Sequence, residues 1–219
     1  MYRTVIFDMD GTILDTLSDL TDSLNHALTV FEMPQRTTEE VRRFLGNGIR
    51  ALVECAVPAG TPIAKTDEVF SFFAAYYPKH CQIRTAPYTG IVPLLQTLKE
   101  HGVQTAVVSN KVDSAVQILC DTYFAGLFDY AVGEKEGIHK KPSPEGVLHI
   151  METLHAQTAQ TVYIGDTEVD AQTAQNAGID CVLVSWGFRD PCQLEQLPAK
   201  YRVSTTAALQ QILLPARTK

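Results

Sequence analysis

Apolar residues fall along this chain in two alternating rhythms. Five short runs are apolar on successive positions: "TVIF" at 4–7, "VQTAVV" at 103–108, "YAV" at 130–132, "TVYI" at 161–164 and "CVLV" at 181–184. Unbroken β-branched runs of this length read as strands covered on both faces, the habit of a parallel sheet. Between them the spacing changes to that of helices. Residues 91–101 carry Leu94, Leu95 and Leu98 on one face and stop at Gly102, and "EVDAQTAQNAG" after the fourth run stops at Gly178. A glycine just past the last turn is a common helix terminator. Strand, loop, helix, glycine and strand repeated in this way predict a doubly wound α/β fold with a parallel sheet.

The interval from Thr16 to Cys81 breaks that rhythm, because it holds helical patterns and no convincing strand. Leu17, Leu20, Leu24, Ala27, Leu28 and Phe31 recur at helical spacing before Pro34. Thr37 followed by Glu40 forms a capping-box signal for a second helix through Phe44. A third helix is expected from Gly48 to just before Pro58, and a fourth from Asp67 to Tyr77. The aromatic run "FSFFAAYY" at 70–77 has the spacing of that helix's core face. The expected organisation is a core of residues 1–15 and 82–219, with residues 16–81 inserted as a four-helix domain.

Composition narrows the partners. A formal net charge of -7 argues against a nucleic-acid surface, which needs clustered Lys and Arg. It does not exclude an anionic substrate, since a bound metal inverts the local field. Cys55, Cys81, Cys120, Cys181 and Cys192 are odd in number and widely spaced, which suits free thiols in a reducing compartment. With no basic leader before a long apolar run, and no stretch near the ~18 apolar residues of a membrane span, a cytoplasmic protein without a membrane partner is expected. Monomer and homodimer both remain open.

Chemistry enters with "FDMDGT" at 7–12. Asp8 and Asp10 stand one residue apart after a buried-looking strand, where crowded carboxylates repel each other and call for a cation. A parallel α/β sheet offers its site beyond the carboxyl ends of its strands. Three expected strands end in residues suited to phosphoryl chemistry: Asp8, then Ser109 with Asn110, then Asp166. Lys141, in "KKPSPE", adds a positive charge between the third and fourth. The six histidines show no HExxH or other tight ligand spacing.

With "DMDGT", "SN", "KPSPE" and "GDTEVD" in this order, the chain resembles the haloacid dehalogenase superfamily phosphatases that carry a helical cap after the first motif. The resemblance implies a sheet order of 3-2-1-4-5, with Asp8 and Asp166 on neighbouring central strands. It further implies Asp8 as a nucleophile forming an aspartyl-phosphate, Mg²⁺ as cofactor, and Asp10 as the acid and base serving the leaving group. The Asp10 carbonyl, rather than its side chain, would reach the metal beside Asp8 and Asp166. Gly11 would permit a sharp turn, and Thr12 is a residue type common at this place. Ser109 and Asn110 would bind the transferring phosphoryl oxygens, helped by amides at the start of the next helix. Lys141 would stabilise charge on Asp8 and the phosphoryl group. Asp170 would bind a metal-bound water or orient that lysine.

Substrate choice is expected from the helical insert. In "RFLGNGIRALVECA", Gly46, Asn47 and Gly48 would let backbone amides approach an anion, with Arg50 nearby. The same loop reads equally as a helix connection with Arg42 and Arg43 facing solvent. Together with "VSWGF" at 184–188 it resembles the phosphoglycolate phosphatase branch, which implies 2-phosphoglycolate, a small phosphorylated metabolite, as substrate. Pyrophosphatases, sugar phosphatases and a phosphoglucomutase-like mutase share similar motifs and are the alternatives.

Overall fold

The computed structural model describes residues 2–215, which divide into two compact units. The first comprises Met1–Leu14 with Pro87–Lys219, and the second Asp15–Ala86. The chain begins with strand β1 (Thr4–Phe7) and leaves the first unit along β2 (Leu14–Asp15). The second unit holds helices α1 (Leu17–Val30), α2 (Thr38–Phe44), α3 (Gly48–Ala56) and α4 (Ile63–Tyr76). Strand β3 (Ala86–Pro87) returns the chain to α5 (Ile91–Glu100), β4 (Gln104–Val112), α6 (Asp113–Phe124) and β5 (Tyr130–Glu134). Then come α7 (Glu145–Thr153), β6 (Thr161–Gly165), α8 (Glu168–Ala177), β7 (Asp180–Val184), α9 (Pro191–Leu194), β8 (Tyr201–Val203) and α10 (Thr206–Leu213).

The first unit is built on a parallel six-stranded sheet in the order β5-β4-β1-β6-β7-β8. Its first five strands follow the expected 3-2-1-4-5 order. The edge strand β8 was not legible, because its three residues carry two exposed side chains and no apolar run. Every residue of β1 and β6 is buried, as strands covered on both faces must be. On one face Ile6, Ala106, Val108, Val132 and Tyr163 pack with Val147 and Ile150 of α7 and Ala171 and Ala174 of α8. β1 lies between β4 and β6, with Phe7 level with Val107 and Ile164, so their carboxyl ends open at one place.

Strand β4 runs four residues beyond the expected end, through Ser109, Asn110 and Lys111. Its ladder with β5 slips there: Val108 pairs with Val132, but Val112 pairs with Glu134. Three residues of β4 thus face one of β5, a bulge of the kind that re-aims side chains beside active sites. Helix α6 starts only at Asp113, so Ser109 and Asn110 belong to a distorted strand end rather than to a helix's first turn.

The second unit is four helices around Leu20, Leu24, Leu28, Val41, Leu52, Val69 and Phe73, all buried. Thr37 and Glu40 form the expected capping box on α2. Helix α4 begins at Ile63 rather than Asp67, directly after Pro62 at its N-cap. In the aromatic run, Phe73 and Tyr77 enter the core, while Tyr76 stacks between His26 and His80 with centroids 4.3 and 3.7 Å away. This unit extends to Ala86, five residues past the expected boundary. Buried Asp19 of α1 supplies the reason: its carboxylate accepts the amides of Ile83, Arg84 and Thr85 and the Thr85 hydroxyl at 2.9–3.0 Å. All five cysteines are free, and among the described residues no helix is long and apolar enough to cross a membrane.

Candidate active site

Asp8 follows β1 directly and its amide donates to the Ile164 carbonyl of β6, which pins it above the centre of the sheet. Its carboxylate is almost fully buried, with Oδ1 2.8 Å from Lys141 Nζ. Burial pushes the Asp8 pKa up to about 7, with Lys141 pulling it down and the charges of Asp170 and Asp10 adding to the rise. Beyond Asp8 the chain turns on the Met9 carbonyl, which accepts the amides of Thr12, Ile13 and Leu14. Gly11 sits in that turn with φ +82°, and a Cβ there would lie 2.4 Å from Asp166 Oδ2. Only glycine meets both demands.

Asp166, at the end of β6, is wholly buried. Thr12 Oγ1 donates to its Oδ1 at 2.9 Å, and the Phe188 amide to its Oδ2 at 2.7 Å. Thr12 therefore helps to hold this carboxylate in place. Phe188 belongs to "SWGFRD" after β7, and the Trp186 indole donates to the Thr12 carbonyl at 3.0 Å. A Cβ on Gly187 would fall 2.4 Å from both Asp166 Oδ2 and the Gly11 carbonyl. The stretch read in sequence as a mark of substrate thus packs as a backbone brace behind Asp166.

Asp170 lies in the first turn of α8 and is also wholly buried. Its Oδ2 accepts the Asp166 and Thr167 amides and the Thr167 hydroxyl, at 3.1, 3.0 and 2.7 Å. Its Oδ1 accepts Lys141 Nζ at 2.7 Å and the Tyr163 hydroxyl at 3.3 Å. Burial would raise this carboxyl, but Lys141 and the Thr167 donors hold it below the usual carboxylate range. Lys141 in turn stays well above an ordinary lysine despite its burial, because Asp170 and Asp8 flank it.

Asn110 spends its amide on the backbone of that lysine: Oδ1 accepts the Lys141 amide at 2.7 Å and Nδ2 donates to the Lys141 carbonyl at 3.1 Å. These two bonds place Lys141. Ser109 Oγ accepts the Lys111 amide at 3.2 Å. Lys111 itself was not singled out in the sequence. Its ammonium is buried and lies 3.0 Å from each carboxylate oxygen of Asp10. A lysine following "SN" could have drawn notice only through its partner, 101 residues away.

Gly46, Asn47, Gly48 and Arg50 belong to the helical unit. Gly46 and Gly48 have φ of +118° and +84°, and Asn47 is the N-cap of α3 without a side-chain capping bond. Arg50 is engaged within that unit, 2.6 Å from both Glu54 and Asp67 and over the Phe70 ring. Arg42 and Arg43 both pair with Glu39.

Carboxylate oxygens of Asp8, Asp166 and Asp170 come within 4.8 Å of one another. Among the described residues one ammonium, that of Lys141, touches any of the three. Burying three negative charges against one positive is costly, and burial holds the Asp166 carboxyl well above the usual range, with Asp170 and Asp8 adding to it. A divalent cation with a preference for oxygen fits this imbalance. Asp8 and Asp166 retain acceptor positions for it. Asp170 does not, since five donors already occupy its two oxygens.

The family model for haloacid dehalogenase-like hydrolases matches residues 5–184. The chain belongs to this family. Among curated relatives of this haloacid dehalogenase-like hydrolase, the phosphoglycolate phosphatase of Psychrobacter arcticus is 31% identical over 98% of the chain and 96% of the relative. That of Aquifex aeolicus is 31% identical, covering 85% and 86%. A solved structure from Lactobacillus delbrueckii subsp. bulgaricus, provisionally named a phosphoglycolate phosphatase, superposes with a TM-score of 0.93 at 37% identity, covering 98% and 99%. Asp8, Ser109, Lys141 and Asp166 all fall inside the matched region.

Proposed function

We propose that this hydrolase is a Mg²⁺-dependent phosphatase acting on a small phosphate monoester, 2-phosphoglycolate, through an aspartyl-phosphate at Asp8. The observation that carries the reading is the cluster of buried carboxylates Asp8, Asp166 and Asp170, against which one ammonium, that of Lys141, is set among the described residues, so that the cluster calls for a divalent cation. The names of the Psychrobacter and Aquifex relatives support the substrate.

Asp8 and Asp166 would hold the cation, together with the Asp10 carbonyl. When bound, Mg²⁺ supplies charge that lets an anionic nucleophile meet a phosphate dianion. Asp8 attacks phosphorus as the bond to the ester oxygen breaks, and Asp10 gives that oxygen its proton, releasing glycolate. Asp10 then takes a proton from the water that cleaves the acyl phosphate, returning Asp8 and free phosphate. Lys141, fixed by Asp170 and Asn110, keeps a positive charge against Asp8 while negative charge gathers on the phosphoryl oxygens. Ser109 would donate its hydroxyl to those oxygens.

Asp8→Asn keeps the shape and removes the nucleophile. Released phosphate is expected to fall to the detection limit, with thermal unfolding unchanged within a few degrees. Turnover near wild type would exclude Asp8 as nucleophile. An isomerised sugar phosphate in place of free phosphate would transfer the same site to a mutase.

A further inference from the structure

The mechanism above uses Lys141 but leaves its counterpart, Lys111, without a task. Lys111 is 4% exposed, in the bulged end of β4, with Nζ 3.0 Å from both Asp10 oxygens. Desolvating an ammonium is costly, and a carboxylate that needs only a turn position does not require one. Arg50, expected near the anion-binding loop of the helical unit, is compensated twice by Glu54 and Asp67. In the first unit Lys141 is committed to Asp8 and Asp170, and Arg189 makes a two-bond pair with Glu168.

We infer that Lys111 is the specificity-determining residue for an anionic leaving group, recognising a carboxylate one carbon removed from the ester oxygen. This rests on the reading of Asp10 as the group that protonates that oxygen. A proton donor must come within about 2.6–3.2 Å of its acceptor, so the ester oxygen lies against Asp10. Lys111 Nζ is 3.0 Å from the same carboxylate. In a phosphorylated 2-hydroxy acid a single carbon separates the ester oxygen from the carboxylate. The substrate carboxylate therefore arrives beside Asp10, within reach of the ammonium that stands 3.0 Å from both Asp10 oxygens. Lys111 is that cation. An ammonium serves two carboxylates readily, as Lys141 does between Asp8 at 2.8 Å and Asp170 at 2.7 Å.

The test compares 2-phosphoglycolate with 2-hydroxyethyl phosphate, which replaces the carboxylate by a neutral alcohol of similar size. kcat and KM are measured on both for wild type, Lys111→Met, Lys111→Gln and Lys111→Arg, with thermal unfolding to compare folding. Wild type is expected to prefer phosphoglycolate. The Met and Gln variants should lose at least about tenfold of that preference, mainly through KM for phosphoglycolate, and the Arg variant should retain most of it. A preference unchanged within twofold, with both substrates slowed alike, would mean that Lys111 only holds Asp10, and would overturn the inference while leaving the phosphatase reading intact. No preference in the wild type would remove phosphoglycolate as the substrate and this inference with it. Loss of preference in Arg50→Met but not in Lys111→Met would place recognition in the helical unit instead.

Discussion

Gly187→Ala isolates the brace behind Asp166. The added methyl would stand 2.4 Å from Asp166 Oδ2, 2.5 Å from Asp166 Cβ and 2.4 Å from the Gly11 carbonyl, whereas ordinary contact begins at 3.4 Å. Relief therefore requires a displacement of about 1 Å shared among the 185–190 loop, Asp166 and the "DGT" turn. None of these neighbours is the free end of a flexible side chain. Overpacking of this kind costs about 1–3 kcal/mol, a fall in Tm of roughly 3–10 °C for a chain of this size. The Phe188 amide bond to Asp166, 2.7 Å in the native arrangement, is strained or broken by the same movement.

Two further consequences separate a brace from a mere packing defect. Hydrogen-bond partners that orient a metal's ligands typically change affinity by about 10–100-fold when lost, so Mg²⁺ binding should weaken by that order. A 1 Å misplacement of reacting groups costs about 100-fold in turnover. Calorimetric Mg²⁺ titration, thermal unfolding and kcat at saturating Mg²⁺ read the three quantities. If Gly187→Ala is destabilised by several degrees yet binds Mg²⁺ and turns over within twofold of wild type, the loop does not position Asp166.

Asp19→Ala strips the acceptor from the Ile83, Arg84 and Thr85 amides and the Thr85 hydroxyl. At about 1–3 kcal/mol for each buried donor left unmet, with some re-solvated, a loss of about 3–6 kcal/mol is expected in denaturant unfolding, and a loss under 1 kcal/mol would refute the account. Asp180 gives a pH signature: burial opposes it, but Lys200 at 2.6 Å and the Tyr2 hydroxyl hold its carboxyl below the usual range. A depressed carboxyl stabilises the fold above its unfolded pKa of about 3.9, and loses that contribution as pH falls through the folded value. The Tm difference between wild type and Asp180→Asn should be constant from pH 5 to 8 and close below about pH 4, and a gap that persists at the acid end would contradict the pairing.

The sheet was legible because its strands repeat one environment over several residues. "TVIF" at 4–7 coincides with β1, and "TVYI" and "CVLV" fall one residue short of β6 and β7. Legibility failed where the environment changes within two or three positions. Ser109, Asn110 and Lys111 break the apolar run, so they read as the end of a strand, although the bulge keeps them in it. β8 and the early start of α4 failed for the same reason, being too short or too polar to show a period.

Site chemistry followed a different logic. Residue types at the strand ends announced a phosphoryl site, but which of them would touch substrate depended on partners remote in sequence. Thr12 meets Asp166 across 154 positions, Lys111 meets Asp10 across 101, and Asn110 meets Lys141 across 31. Each pairing fixes a carboxylate or a lysine through a partner far away in the chain. That is the expected economy of a buried charged site, because a misplaced charge costs more than a missing contact and every polar atom must find a partner. Asp170 is the clearest instance: one helical turn from Asp166, it was expected to hold a metal-bound water or to orient Lys141, and it accepts five hydrogen bonds that fix both Lys141 and the loop that carries Asp166. A carboxylate with acceptor positions to spare can bind a cation, whereas one already saturated can only orient the groups that do. That distinction separates Asp8 and Asp166 from Asp170, and motif spacing cannot express it.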